Sequence, residues 1–203
     1  MSKTLESFVL AAKQFKSPIV LELGTYRSIP TRSTLHKNFV PHFGKWIGTD
    51  IVLGEDVQLV ADLHRLTKFI LPQSVDIIIS CSTFEHLKYP FIAAHEIAKT
   101  IRIGGLIFIQ THHCFPLHAY PYDYFRFSTE ALSGLFGTKN GIEVISCDYE
   151  FSAEIVSDRF DRKRTDWLNS VLFACKISET PEEFQYEWDN NLEPLEIKNP
   201  QEL

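Results

Sequence analysis

The sequence predicts an α/β fold built on a mostly parallel sheet of the doubly wound type. Three observations predict it. Short apolar runs recur along the 203 residues, and most are separated by segments long enough to cross back over a sheet. The runs are continuous rather than alternating, Ile77-Ile78-Ile79 being the plainest, as in strands buried on both faces. Three of the early runs close on an acid, at Glu22, Asp50 and Asp62. Open α/β sheets bind ligands at the carboxyl ends of their strands.

The elements follow in order. Leu5, Phe8, Val9, Ala12 and Phe15 recur at helical spacing, which predicts an amphipathic helix over Thr4 to Phe15. The first strand runs from Pro18 to Leu23, and Gly24 turns the chain. Pro30 suits the first turn of a short helix through Leu35 to Phe39, which Pro41 and Gly44 end. Trp46 to Asp50 is the second strand, Val57 to Ala61 the third, closing at Asp62, and Val75 to Ser80 the fourth. Phe91 to Ile101 is a helix stopped by Gly104 and Gly105. Leu106 to Gln110 is the fifth strand. Ser128 caps a helix that turns Leu132, Leu135 and Phe136 inward. Ile142 to Cys147 and Ser170 to Ile177 are the sixth and seventh strands. The expected division is one domain over residues 1–178 and an acidic, loosely ordered tail over 179–203. That tail carries Pro181, Pro194 and Pro200, with Phe184 and Trp188 as possible anchors.

Composition narrows the function. A formal net charge of -6 argues against a nucleic-acid backbone as partner. The nearest basic run, Arg159 to Arg164, is interleaved with Phe160 and Asp161. Cys81, Cys114, Cys147 and Cys175 are widely spaced and form no CxxC pair. They read as reduced thiols of a cytoplasmic protein. The N-terminus lacks the apolar stretch of a signal peptide, and no segment has the length of a membrane span.

The chemistry gathers at the strand ends. Glu22 sits in a run that otherwise reads Ile19-Val20-Leu21-Leu23, and Gly24 follows at once. A buried carboxylate needs a partner, and the glycine lets backbone approach a ligand. A strand end with a turn glycine is the plain alternative. Acids on three consecutive strands suggest a ligand rich in hydroxyls or amines along one rim. An acid after the second strand can take the two hydroxyls of a ribose. Helix capping is the plain alternative for Asp50 and Asp62.

These residues resemble the class I S-adenosylmethionine-dependent methyltransferases. Glu22-Leu23-Gly24 is similar to their first motif. Asp50 falls where that family holds the ribose of its cofactor, and Asp62-Leu63 where it meets the adenine. Ser80-Cys81-Ser82-Thr83-Phe84-Glu85-His86-Leu87 is similar to the family's element after the fourth strand. Ile101-Arg102-Ile103-Gly104-Gly105 resembles its step into the fifth. The resemblance covers about residues 18 to 177. It implies a Rossmann-like, seven-stranded sheet whose seventh strand runs antiparallel between the fifth and sixth. It also implies S-adenosylmethionine as cofactor, held by Glu22, Gly24, Thr25, Tyr26, Arg27, Asp50, Ile51, Asp62, Leu63, Ser80, Cys81 and Ser82. The chain departs from the family in its first loop, where Gly24 stands without further glycines and Tyr26, Arg27 and Ser28 follow. A subgroup linked to sugar-transfer and cell-surface glycan pathways looks similar there. It also carries a segment like His118-Ala119-Tyr120-Pro121-Tyr122-Asp123-Tyr124-Phe125-Arg126-Phe127-Ser128.

That segment follows the fifth strand and so sits beside the rim. Its spacing fits no two-histidine metal motif, and no metal is expected. Tyrosine offers a flat apolar face and a hydroxyl, so His112, Tyr120, Tyr122, Tyr124 and Arg126 are candidates for the wall of a polar acceptor. Methyl transfer to a hydroxyl needs alignment and a group to receive the proton. His118, held by Asp123, is the preferred base. His113 and His86 are the next candidates, His86 being better suited to a backbone contact. Arg126 has a second reading as the ion-pair partner of Asp123. The expected function is O-methylation of a sugar, glycan or other small polar hydroxyl compound, without nucleic acid or a membrane span. Two alternatives stand beside it. A nicotinamide-dependent oxidoreductase shares the sheet but needs a phosphate-cradling GxGxxG loop, which is missing. A cofactor-binding protein without catalysis is suggested by Tyr26 and the acidic tail.

Overall fold

The computed structural model describes residues 2–156 and 164–185. One sheet of seven strands organises them: β1 (Ile19–Leu23), β2 (Lys45–Asp50), β3 (Leu59–Val60), β4 (Val75–Cys81), β5 (Ile101–His112), β6 (Ile142–Ile155) and β7 (Arg164–Lys176). Their order is β3-β2-β1-β4-β5-β7-β6. The first five pair in parallel. β7 lies antiparallel to both β5 and β6. This is the doubly wound, Rossmann-like arrangement expected from the alternation of runs and crossovers.

Both faces of the sheet are covered. Helix α1 (Lys3–Ala12) starts at Ser2, whose side chain accepts from the Leu5 amide. It buries Leu5, Phe8 and Ala12 on one face, where the Phe8 ring meets Phe108 and Phe173. Helix α2 (Pro90–Thr100) has proline in its first turn and packs Ala94, Ile97 and Ala98 on the other face. Helix α3 (Thr129–Ser133) is capped by Ser128 Oγ, which accepts from the Ala131 amide. Leu132, Leu135 and Phe136 are buried beside it, as their spacing predicts.

Several boundaries differ from the sequence reading. α1 ends at Ala12, not Phe15. The helix expected from Pro30 to Phe39 contracts to a single turn at Lys37–Phe39. Its backbone donors go elsewhere: the Thr34 amide donates to Asp56 at 3.0 Å and the His36 amide to Glu22 at 3.1 Å. Side-chain acceptors outcompete the helical pattern there. Gly104 and Gly105 do not end α2, which stops at Thr100. They lie inside β5, at a register shift against β4. A Cβ on Gly105 would lie 2.8 Å from the Asp76 carbonyl, so a side chain cannot pass. β6 and β7 run well beyond their apolar cores as a long hairpin. Their outer halves carry polar residues such as Asp148, Glu150 and Asp166, which hid them from a reading based on apolar runs.

The start of the acidic tail lies on the body. Asn140 Nδ2 donates to the Gln185 carbonyl at 2.6 Å, and the Gln185 amide donates back to Asn140 Oδ1 at 2.8 Å. The Phe184 ring meets Phe91 and His95 edge-on. Trp188 and most of the basic run lie outside the described residues. Among the described residues, no helix is long and apolar enough to cross a membrane.

Candidate active site

The carboxyl ends of β1, β2, β4 and β5, with the loops that follow them, enclose a cavity of about 1140 Å³. Gly24 makes the first turn. Its φ is +74°, and a Cβ there would lie 1.9 Å from Thr83 Oγ1, so only glycine fits. Beyond it, the Tyr26 amide donates to Asp50 Oδ2 at 3.0 Å and the Val52 amide to Asp50 Oδ1 at 3.1 Å. The Asp50 carboxylate is therefore fixed at the rim, with lone pairs left over for a ligand. Glu22 is buried and lines the cavity, but its oxygens accept from the His36 amide, His36 Nδ1 and Trp46 Nε1. It anchors the loop before Lys37. Asp62 caps the turn Leu63–Lys68, accepting from the His64 amide, and its carboxyl is held below its usual range.

Arg27 and Thr25 are not brought to the cavity. Arg27 pairs with Asp56 through Nε at 2.6 Å and Nη2 at 2.9 Å. Thr25 Oγ1 donates to the Asp56 carbonyl at 2.9 Å. Asp56 also accepts from Ser33 Oγ and the Thr34 amide, and chiefly the Arg27 guanidinium holds its carboxyl far below the usual range. This buried acid thus replaces a helix as the support of the loop that lines the cavity from Ser28 to His36. Arg32 lies in that lining. Sequence reasoning missed Asp56, Arg32 and His36. The available signal was the arginine in a loop where the family carries glycine.

At the β4 end, Cys81 and Ser82 line the cavity and Ser80 does not. Ser82 is held at φ +53°, a conformation a non-glycine residue rarely adopts. Burial, with Glu22, Glu150 and Glu85 nearby, pushes the Cys81 thiol well above its ordinary pKa. Ile51, Leu63 and Ala61 supply apolar lining.

The loop after β5 contributes His112, Phe115, His118, Ala119 and Tyr122 to the lining. His112 stacks flat on Phe115, centroids 4.0 Å apart. His113, just past the end of β5, turns away from the cavity, its Nδ1 meeting the Phe127 carbonyl and its Nε2 meeting Asp166. Tyr120 is 95 % exposed and Tyr124 is exposed outside the lining. Arg126 clamps the loop by a bidentate bond to Asp123, at 2.6 and 2.9 Å, and by bonds to the Phe115 and Pro116 carbonyls. This is the ion pair of its second reading. Asp123 also accepts from the His118 amide at 2.9 Å, and its nearest approach to the His118 ring is 3.3 Å, to Nδ1. Nδ1 faces the Pro116 carbonyl as well, at 3.1 Å. With two oxygens before it, Nδ1 carries the ring proton and Nε2 the free lone pair.

Residues 37–109 match a family model described as a methyltransferase domain. Over these residues the chain carries a methyltransferase domain. A search of curated proteins finds no match to the chain. Among solved structures, the chain is similar in fold to the YcgJ protein of Bacillus subtilis. The two share 14% identity with a TM-score of 0.60, over 86% of this chain and 98% of that one. It is also similar to a S-adenosylmethionine-dependent methyltransferase from Archaeoglobus fulgidus, at 16% identity and TM-score 0.58, over 85% and 94% of the two chains. A third is the 1,6-didemethyltoxoflavin-N1-methyltransferase of Burkholderia thailandensis, solved with S-adenosylhomocysteine. It shares 14% identity at TM-score 0.56, over 87% and 79% of the two chains. At these identities the likeness is one of fold.

The donor set suits S-adenosylmethionine. A fixed carboxylate stands at the end of β2, apolar side chains flank it, and the glycine turn brings backbone to the cavity. The volume exceeds what a nucleoside-sized molecule fills. The space beyond opens onto the histidine-lined loop after β5.

Proposed function

We propose that the methyltransferase O-methylates a sugar, a glycan or a comparable small polar molecule. The observation that carries this reading is the joining of two unlike ends in one cavity. One end has Asp50 with apolar flanks, and the other is lined by imidazoles, Gln110 and Tyr122.

In this reading Asp50 accepts from the ribose hydroxyls, and Ile51, Ala61 and Leu63 cover the faces of the adenine. The turn from Gly24 to Tyr26, with Arg32, holds the methionine part, whose carboxylate suits a guanidinium. Asp62, Cys81 and Ser82 close the floor. Bound S-adenosylmethionine supplies an electrophilic methyl group. The chain's own residues align the acceptor with it. His118 turns the Nε2 lone pair to the acceptor's hydroxyl and takes its proton. Asp123 and Arg126 keep the His118 loop in place, and Tyr122 borders the acceptor. His113, Tyr120 and Tyr124 have no part in the first contact with it. The unit that does this is a single domain that includes the docked residues to Gln185, working in the cytoplasm.

The test is a screen of sugars, sugar nucleotides and glycans with isotopically labelled cofactor, followed by mass spectrometry of any product. Label appearing on a nitrogen or carbon acceptor instead would discard the O-methylation reading.

A further inference from the structure

We propose that Glu85, His112 and His118 bind a divalent transition-metal cation at the acceptor end of the cavity. Three segments bring them together: the turn after β4, the end of β5 and the loop beyond it. Glu85 is fully buried. Its Oε2 accepts from Thr111 Oγ1 at 2.6 Å, while its Oε1 has no hydrogen-bond partner among the described residues. A buried anionic oxygen without a donor is costly and calls for a positive partner. His112 Nε2 lies 3.1 Å from that oxygen, but off the direction a ring hydrogen would take. A ring nitrogen of His118 joins them, all three ligand atoms lying within 4.8 Å of one another. His86 Nε2 stands near, 3.8 Å from the same oxygen.

The orientation of the rings is the second observation. Each turns Nδ1 toward an oxygen: Asn169 Oδ1 at 3.0 Å for His112, the Pro116 carbonyl at 3.1 Å for His118, and the Tyr122 carbonyl at 2.7 Å for His86. An acceptor at Nδ1 fixes the ring proton there and leaves Nε2 its lone pair. Metal-ligating histidines are held in this manner. Lone pairs gathered around a carboxylate oxygen repel one another unless a positive charge lies between them. Zinc bonds of about 2.1 Å set neighbouring ligand atoms about 2.9 to 3.4 Å apart for right-angled to tetrahedral geometry. The 3.1 Å between His112 and Glu85 falls in that range.

Two histidines and a carboxylate are a set that catalytic zinc sites use, with a further position left for water or substrate. His112 and His118 both line the cavity, so that position opens toward the acceptor. With the cation bound, the His118 lone pair is taken up by it, and the cation replaces His118 as the group that activates the acceptor. The acceptor's hydroxyl, polarised by the cation, then gives its proton to water. That consequence rests on the methyl-transfer reading, whereas binding of the cation does not. The sequence conceals the site because positions 85, 112 and 118 form no local motif.

The test uses the full chain after chelator treatment, titrated with Co²⁺ followed in the visible spectrum and with Zn²⁺ by calorimetry. One equivalent of each is expected, with zinc displacing the cobalt band. His112→Ala and His118→Ala should each weaken zinc binding at least tenfold, the lower bound even for residues that only support a ligand. His113→Ala, at a side chain turned away from the cavity, should not. Glu85→Gln should act like the two histidine variants if a thermal melt shows it folded. The absence of saturable binding overturns the site, and so does binding that His112→Ala and His118→Ala leave unchanged. Thermal stabilisation by S-adenosylhomocysteine in the same preparation tests the methyl-transfer reading separately. Cation binding without it would keep this site and remove that reading.

Discussion

At Asp50 two backbone amides, those of Tyr26 and Val52, hold the carboxylate before any ligand arrives. Asp50→Ala should therefore remove a preorganised pair of charge-assisted bonds, about 1.5–3 kcal/mol, or roughly one to two decades in cofactor affinity. Calorimetry of wild type and variant checks it, and equal affinities would take Asp50 out of the site. His118→Ala should lower turnover on a confirmed acceptor by roughly a hundredfold to ten-thousandfold and leave cofactor affinity nearly unchanged. Some of these residues were legible in sequence and some were not. Asp50 and Asp62 end strands, so their place at the rim follows from topology. Arg27 was misread because its partner, Asp56, lies 29 positions on, and nothing local announces the pair. His113 was misread because it stands just past the end of β5, where its side chain turns away from the cavity.

The elements divide in the same way. The central strands β1, β4 and the core of β5 were legible because burial on both faces demands continuous apolar runs. The first crossover was not, because the Thr34 and His36 amides bond to acids from other segments. Asp56→Ala should release that loop together with Arg27. Arg27 keeps only the exposed Glu55 as an acidic partner among the described residues, and the Ser33 and Thr34 donors lose theirs, so a lower melting temperature and weaker cofactor binding should appear together. The tail divides too. Truncation after Ser178 strips the reciprocal Asn140–Gln185 bonds and uncovers Phe91 and His95. It should lower the melting temperature measurably, contrary to what its proline-rich, acidic composition suggests. An unchanged melt would restore the boundary at Ser178.

Across the whole molecule, buried charges set the pH range of stability. Arg27 and Arg126 hold the Asp56 and Asp123 carboxyls below the unfolded value of about 3.9. Their contribution is complete above that value and is lost as pH falls through the lower folded one. Lys176 works at the other end. Its amine is buried against the Ala98 carbonyl and Thr180, and burial lowers its pKa to about 8, with Glu179 opposing. Between about 8 and the unfolded value of about 10.4, the unfolded chain holds the extra proton. Stability therefore gains from this group as pH rises through that window. Melts of wild type and Lys176→Met from pH 7 to 10 should show the rise only in the wild type. The negative charge near the rim has one more effect, on Cys81. S-adenosylmethionine alkylates thiolates, and the Cys81 thiol lines the cavity. Burial and the surrounding glutamates keep that sulfur protonated. Prolonged incubation with S-adenosylmethionine should therefore leave the mass of the chain unchanged.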